Sequence, residues 1–107
     1  MRVLLDSNVP RTFAALLPGH LVETAQQRRW GDLDDRPLLD ACEAAGFSAF
    51  ITADQNLRFQ QNLAGRRLRV LVLRAPRTSL PHLAPLAPIV LQALREMQPG
   101  ELRVVGG

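Results

Sequence analysis

The chain predicts an α/β domain, with a mainly parallel sheet of about five strands sandwiched between helices in three α/β/α layers. Three observations carry that expectation. Short apolar runs without polar alternation recur at Val3–Leu5 and Ala49–Ile51, as strands covered on both faces require, and Leu68–Leu73 is a third run interrupted only by Arg69. Segments with helical apolar spacing alternate with these runs, as in strand–helix–strand units. At 107 residues and 47% hydrophobic content, the chain has enough apolar surface for one core, so residues 1–107 read as a single domain.

Arg2-Val3-Leu4-Leu5-Asp6-Ser7-Asn8-Val9-Pro10 sets the pattern. Val3–Leu5 is a central strand, and it stops at a carboxylate, Asp6. Val9-Pro10 then opens a short helix to about Leu17, with Phe13, Leu16 and Leu17 on one face. Proline is harmless in a first turn, where its missing N–H has no intrahelical partner to lose. Pro18-Gly19 ends this helix, and His20–Thr24 is a second strand. Gln26–Leu33 is polar and arginine-rich, a loop or short helix that holds the single tryptophan, Trp30. Asp34-Asp35-Arg36-Pro37 begins a second helix, with carboxylates at its positive end. The apolar stripe of that helix is Leu38, Leu39, Cys42 and Ala45, and Gly46 supplies its C-terminal cap.

Ala49–Thr52, followed by Ala53-Asp54, repeats the opening: a buried strand, then a carboxylate just past its end. Gln55–Leu63 reads as helical on a thin stripe of Phe59 and Leu63, and Gly65-Arg66-Arg67 as a basic turn. Leu68–Leu73 is the strongest strand and ends at Arg74. A loop over Ala75–Pro81 leads to a helix over Leu83–Met97, with Pro85 and Pro88 near its start. After the Gln98-Pro99-Gly100 break, Glu101–Val105 is an edge-type strand.

In a parallel sheet the carboxyl ends of the strands and the starts of the following helices share one edge, and ligands bind there. Asp6 and Asp54 follow strands and Asp35 opens a helix, so these three acids are expected on one rim. Each alone reads equally well as a helix cap. Together they repel one another unless a cation lies among them. Oxygen-only ligands suit a hard ion, Mg²⁺ or Mn²⁺, which bridges to phosphate and assists phosphodiester cleavage. Arg11, at the start of the first helix, and Arg74 and Arg77, beyond the fourth strand, are placed to grip phosphates. An equal alternative is that they neutralise the aspartates directly. Asp40 and Glu43 lie opposite the apolar stripe of their helix and read as solvated surface; Asp40 stands with Asn8 and Asn56 as a secondary polar candidate.

Charge and composition narrow the classes. All thirteen basic residues are arginine and the net charge is +3, which is compatible with a nucleic-acid partner. The absence of lysine argues against a phosphoryl-accepting receiver domain, and Asn8 stands where a haloacid-type phosphatase needs its second aspartate. There is no glycine-rich phosphate loop. His20 and His82 have no partners for a metal role, and Cys42 alone supports neither a disulfide nor a zinc site. With no signal peptide and no apolar run near 18 residues, a soluble cytoplasmic protein with no membrane association is expected.

Leu4-Leu5-Asp6-Ser7-Asn8-Val9-Pro10, with Ile51-Thr52-Ala53-Asp54-Gln55-Asn56-Leu57 and Gln60-Gln61-Asn62-Leu63, resembles the short PIN-like proteins. Trp30-Gly31 and Pro99-Gly100-Glu101-Leu102 extend the likeness over nearly the whole chain. The resemblance implies a PIN-type fold and Mg²⁺/Mn²⁺-dependent cleavage of single-stranded RNA. Many PIN relatives are toxins of toxin–antitoxin pairs, similar to VapC, each held inactive by a partner protein. By position, Asp6 matches the first acid, Asp35 the acid opening the helix before the Thr-x-Asp strand, and Asp54 the acid of that motif; these are the implied metal-binding and catalytic residues. The expected partners are an RNA substrate and an antitoxin protein; a homodimer is a further expectation, with the apolar Leu83–Met97 helix read equally as its face or as part of the core. Two departures thin the acidic cluster: no counterpart of the usual early glutamate exists, and Asn56 is not an acid. The alternative expectation is therefore a catalytically weak or inactive PIN-like module that binds a protein or RNA.

Overall fold

In the computed structural model, which describes residues 1–57 and 63–106, five short strands form the centre of the molecule. They are β1 (Arg2–Leu5), β2 (Leu21–Thr24), β3 (Ala49–Thr52), β4 (Arg69–Arg74) and β5 (Leu102–Gly106). Their spatial order is β2-β1-β3-β4-β5, and every pairing is parallel, with Leu4 opposite Phe50 and Phe50 opposite Val70. Among the described residues the helices are α1 (Asp35–Ala44), α2 (Leu80–Leu83) and α3 (Ala87–Glu96), with 3₁₀ turns over Arg11–Leu16 and Ala84–Leu86. Among the described residues no helix is long and apolar enough to cross a membrane.

The unalternating strands are explained by two cores, one on each face of the sheet. Val3, Leu5, Ala49, Ile51, Leu71 and Leu73 point to one face, where Phe13, Leu17, Val90 and Leu94 pack on them. Leu4, Phe50, Val70 and Val72 point to the other, against Leu38, Leu39, Cys42 and Phe47. Because successive strand residues face opposite sides and both sides are dry, polar residues have no place in the run. The result is three layers, with the sheet in the middle.

Two expected helices take a different form. Between Pro10 and Pro18-Gly19 the chain makes a 3₁₀ turn rather than an α-helix. Six residues form too few i→i+4 bonds to offset nucleation, and the tighter turn still buries Phe13 and Leu17. The expected Leu83–Met97 helix is divided at the prolines. Pro85 has no N–H to donate and its ring crowds the carbonyl four residues back, so α2 gives way to a 3₁₀ turn. Pro88 falls in the first turn of α3, where it costs nothing. The apolar side of α3, Val90, Ala93 and Leu94, is spent on the core, and Ile89 is half exposed. Most of the expected Gln55–Leu63 helix, with Phe59, lies outside the described residues.

α1 ends as its sequence requires. Gly46 (φ +87) turns the chain in the left-handed region; its N–H bonds Glu43 O at 3.1 Å, and that of Phe47 bonds Cys42 O at 3.0 Å. This double closure satisfies the last carbonyls and swings Phe47 into the core. One feature of the topology departs from the right-handed norm. The β2-to-β3 and β4-to-β5 connections step across the sheet in the same direction, yet α1 covers one face and α3 the other. The two crossovers therefore have opposite hands. Coverage supplies the reason: without α3, the first face would have only short pieces, the 3₁₀ turn carrying Phe13 and the short α2 carrying Leu83, to keep it dry.

Candidate functional site

From β1 the chain moves to β2 on one side, then crosses back past β1 to β3 on the other. The gap beyond the carboxyl ends of β1 and β3 is thus the sheet's switch point, where open α/β sheets form their ligand crevice. Asp6 stands at that gap. It is the residue after β1, and its N–H donates to Ile51 O of β3 at 2.9 Å. Asp54 is two residues beyond the end of β3, on the neighbouring strand.

A buried threonine ties the two loops together. Thr52, fully buried at the end of β3, donates its hydroxyl to Asp6 Oδ2 at 2.7 Å. The same oxygen accepts the Asp54 N–H at 3.0 Å and Asn8 Nδ2 at 3.3 Å. Asn8 Oδ1 in turn accepts the Ala53 N–H at 2.9 Å. Asp6 Oδ1 takes the N–H of Ser7 at 2.8 Å, and Asp54 Oδ1 takes that of Asn56 at 3.0 Å. Asn8 is therefore a strut between the loops, and Asn56 contributes its main-chain N–H. A third wall comes from the loop after β2: Gly31 lies against the Ser7 hydroxyl, and Gln26 Nε2 approaches Ser7 O at 3.4 Å.

Asp35, the first residue of α1, is partly buried and has no hydrogen bond or ion pair to its carboxylate among the described residues. Burial pushes its carboxyl above the ordinary aspartate value, and the negative charges of Asp54, Asp6 and Asp34 push it further the same way. The three acids therefore share one electrostatic environment. Among the described residues, however, no three His, Cys, Asp or Glu side chains are gathered closely enough to form a ready-made metal group.

Ion pairing divides the acids sharply. All four glutamates pair with arginine: Glu23 with Arg28 and Arg2, Glu43 with Arg66, and Glu96 and Glu101 with Arg103. Asp40 joins them, 2.8 Å from Arg66. Asp6, Asp32, Asp34, Asp35 and Asp54 make no ion pair among the described residues. The expected solvated pair Asp40 and Glu43 is thus half right. Asp40 is exposed, but both acids hold Arg66, whose side chain is only 15% exposed, and Asp40 takes no part in the loop network. Arg11, Arg74 and Arg77 are exposed and make no ion pair with the aspartates among the described residues. The direct-neutralisation alternative is therefore not what the side chains do here.

Two residues in this network carry no role in the sequence reading. Thr52 had a signal: it is the polar end of an otherwise apolar buried run. Gln55 had none. Its Nε2 donates to Leu73 O at 2.6 Å and to Ala53 O at 3.3 Å, which ties the Asp54 loop to the end of β4, while its Oε1 is buried without a partner among the described residues. Cys42, next to this region on α1, is inert, since burial above all lifts its thiol to about 12. No family model matches the chain, and no curated protein or solved structure matches it either.

Proposed function

We propose that this chain is a PIN-like, Mg²⁺- or Mn²⁺-dependent endoribonuclease, acting as the toxin of a toxin–antitoxin pair. The observation that carries the reading is the group of unpaired aspartates at the switch point. Asp6 and Asp54 are joined through Thr52, and the carboxyl of Asp35 is raised first by burial and then by the charges of Asp54 and Asp6. Thirteen arginines are available to neutralise acids in this chain, and none of those described does so at the rim. Uncompensated negative charge on hard oxygen donors fits a divalent cation in kind. Mg²⁺ commonly takes only one or two carboxylates and keeps its waters, so a closed three-ligand cage is not required.

Asp6, Asp54 and Asp35 would hold the ion, which when bound supplies Lewis-acid stabilisation of charge on the phosphodiester. Thr52 and Ser7 fix the Asp6 carboxylate by donating to its two oxygens, so its orientation is set before substrate arrives. Asn56 does the same for Asp54 Oδ1. Arg11, Arg74 and Arg77, exposed at the same edge, hold the phosphates on either side of the scissile bond.

The test is cleavage of single-stranded RNA by the purified chain with Mg²⁺ or Mn²⁺. Activity that disappears with chelator and with Asp6→Asn supports the reading. Cleavage unchanged by both overturns it. For the toxin role, expression should arrest growth, and co-expression of a small protein encoded beside it should relieve the arrest. A second reading is favoured by the open ligand set and by Asn56: a PIN-like module that binds RNA or a protein without cutting. RNA retained on the chain intact, with and without metal, identifies that case.

A further inference from the structure

A second feature lies at the opposite edge of the sheet, where the strands begin. A cavity of about 410 Å³ is lined by Glu43, Phe47, Ser48, Arg67, Arg69 and Pro99, together with Gly46. These residues lie in or just after the last turn of α1, before β3 and β5, and before or at the first residue of β4, so the cavity is separated from the aspartate rim by the length of the strands. We propose that it is a binding pocket for a small, nucleotide-sized phosphate monoester.

The charge in the cavity is unbalanced in a way that selects an anion. Its one acid, Glu43, is already committed: Oε1 holds Arg66 and Oε2 accepts the Arg67 N–H at 3.1 Å. Its two arginines make no ion pair among the described residues, although the charge of Arg69 also acts on Glu101 just before β5. The Arg67 guanidinium makes no hydrogen bond or ion pair among the described residues. Arg69 donates Nε to Met97 O at 3.0 Å, which fixes the plane of its fork and leaves both terminal nitrogens without a hydrogen bond among the described residues. A guanidinium oriented in this way is suited to paired phosphate oxygens. The Ser48 hydroxyl, also without a hydrogen bond among the described residues, adds a neutral donor.

Size and the remaining wall argue for more than a bare ion. The volume falls in the range of small-molecule sites, roughly 300–1,000 Å³. Pro99 supplies apolar surface beside the arginines, backed by the almost fully buried Phe47. Phe47 cannot swing out, because Arg2 and Arg28 lie over its ring at 4.5 and 5.0 Å and Trp30 meets its edge. The pocket is therefore preformed, with a charged end and a fixed apolar wall.

The full chain, labelled with ¹⁵N, can be titrated with inorganic phosphate and with adenosine monophosphate. Saturable shifts are expected at Ser48, Arg67 and Arg69, with the nucleotide bound more tightly than phosphate. Arg67→Gln, an exposed substitution, should weaken nucleotide binding about tenfold, as loss of one charge-assisted contact implies, and leave RNA cleavage unchanged. Absence of saturation at about 10 mM ligand, shifts centred on Asp6 and Asp54, or an Arg67→Gln variant that binds like the parent overturns the proposal. Equal affinity for phosphate and nucleotide overturns the nucleotide-sized ligand.

Discussion

The two edges of the sheet treat acidic residues in opposite ways. Toward the amino edge, Glu43, Glu96 and Glu101 are each held by an arginine, and Asp40 shares Arg66 with Glu43. At the carboxyl edge, Asp6, Asp35 and Asp54 have, among the described residues, only each other, Asp34 and a few neutral donors. The difference is not a shortage of cations, since Arg11, Arg74 and Arg77 stand exposed at that same edge. Paired acids stabilise a fold modestly; unpaired acids gathered together destabilise it. Retaining the second arrangement at the crevice of the sheet is what a cation site demands and what a purely structural rim does not.

Substitutions at the two edges should separate these roles. The largest effect is expected from Asp6→Asn, which should lower RNA cleavage about 100-fold or more while the unfolding midpoint stays level or rises. Glu43→Gln should do the reverse, leaving cleavage intact and lowering stability. Next comes Arg66→Gln, which strands Glu43 and Asp40 together. Because the Arg66 side chain is mostly buried, a loss of about 1–3 kcal/mol is expected in urea unfolding.

Thr52→Val keeps the shape of the side chain but removes the donor to Asp6 and the acceptor for Asp54 and Asn8. It should cost about 1–2 kcal/mol and weaken metal-dependent activity, and Thr52→Ser should recover most of both. If Thr52→Val cleaves RNA like the parent, the link through Thr52 does not position the acids.

The smallest effect is electrostatic and has opposite signs at an unpaired and at an arginine-paired acid. Asp35 binds its proton more tightly folded than unfolded, because burial and neighbouring negative charge raise its pKa. Its contribution to stability therefore falls as pH rises from the ordinary aspartate value through the raised one. Glu23 runs the other way: Arg28 and Arg2 lower its pKa, so its contribution is present above the ordinary glutamate value and is lost as pH falls through the lowered one. In chelator, Asp35→Asn should thus be slightly more stable than the parent at neutral pH, with the gap closing as acidification protonates Asp35. A gap that widens on acidification contradicts the shared field.

Much of this arrangement was legible in the sequence. The unbroken runs at Val3–Leu5 and Ala49–Ile51 announced strands dry on both faces, and two such runs each followed by an acid placed Asp6 and Asp54 on one rim. Gly46 closes α1 as its position requires. What was not legible depended on partners distant in the chain. Nothing local in Arg66 says that it closes on Asp40 and Glu43, more than twenty residues earlier. Nor does Gln55 reveal that it reaches Leu73 O. The prolines at 85 and 88 were visible, but the break they impose before α3 follows only when their missing N–H groups are counted turn by turn. The opposite hand of the last crossover comes from a competition between two faces for one helix, and no short stretch of sequence contains it.

The central claim is that the carboxyl edge keeps its acids for an external cation. Manganese added to crystals of the chain, located by its anomalous scattering, tests it most directly. The account expects a single site between Asp6 and Asp54 within reach of Asp35, lost in Asp6→Asn crystals treated the same way. An empty rim, with manganese either absent or bound beside Asp40 and Glu43, would contradict it.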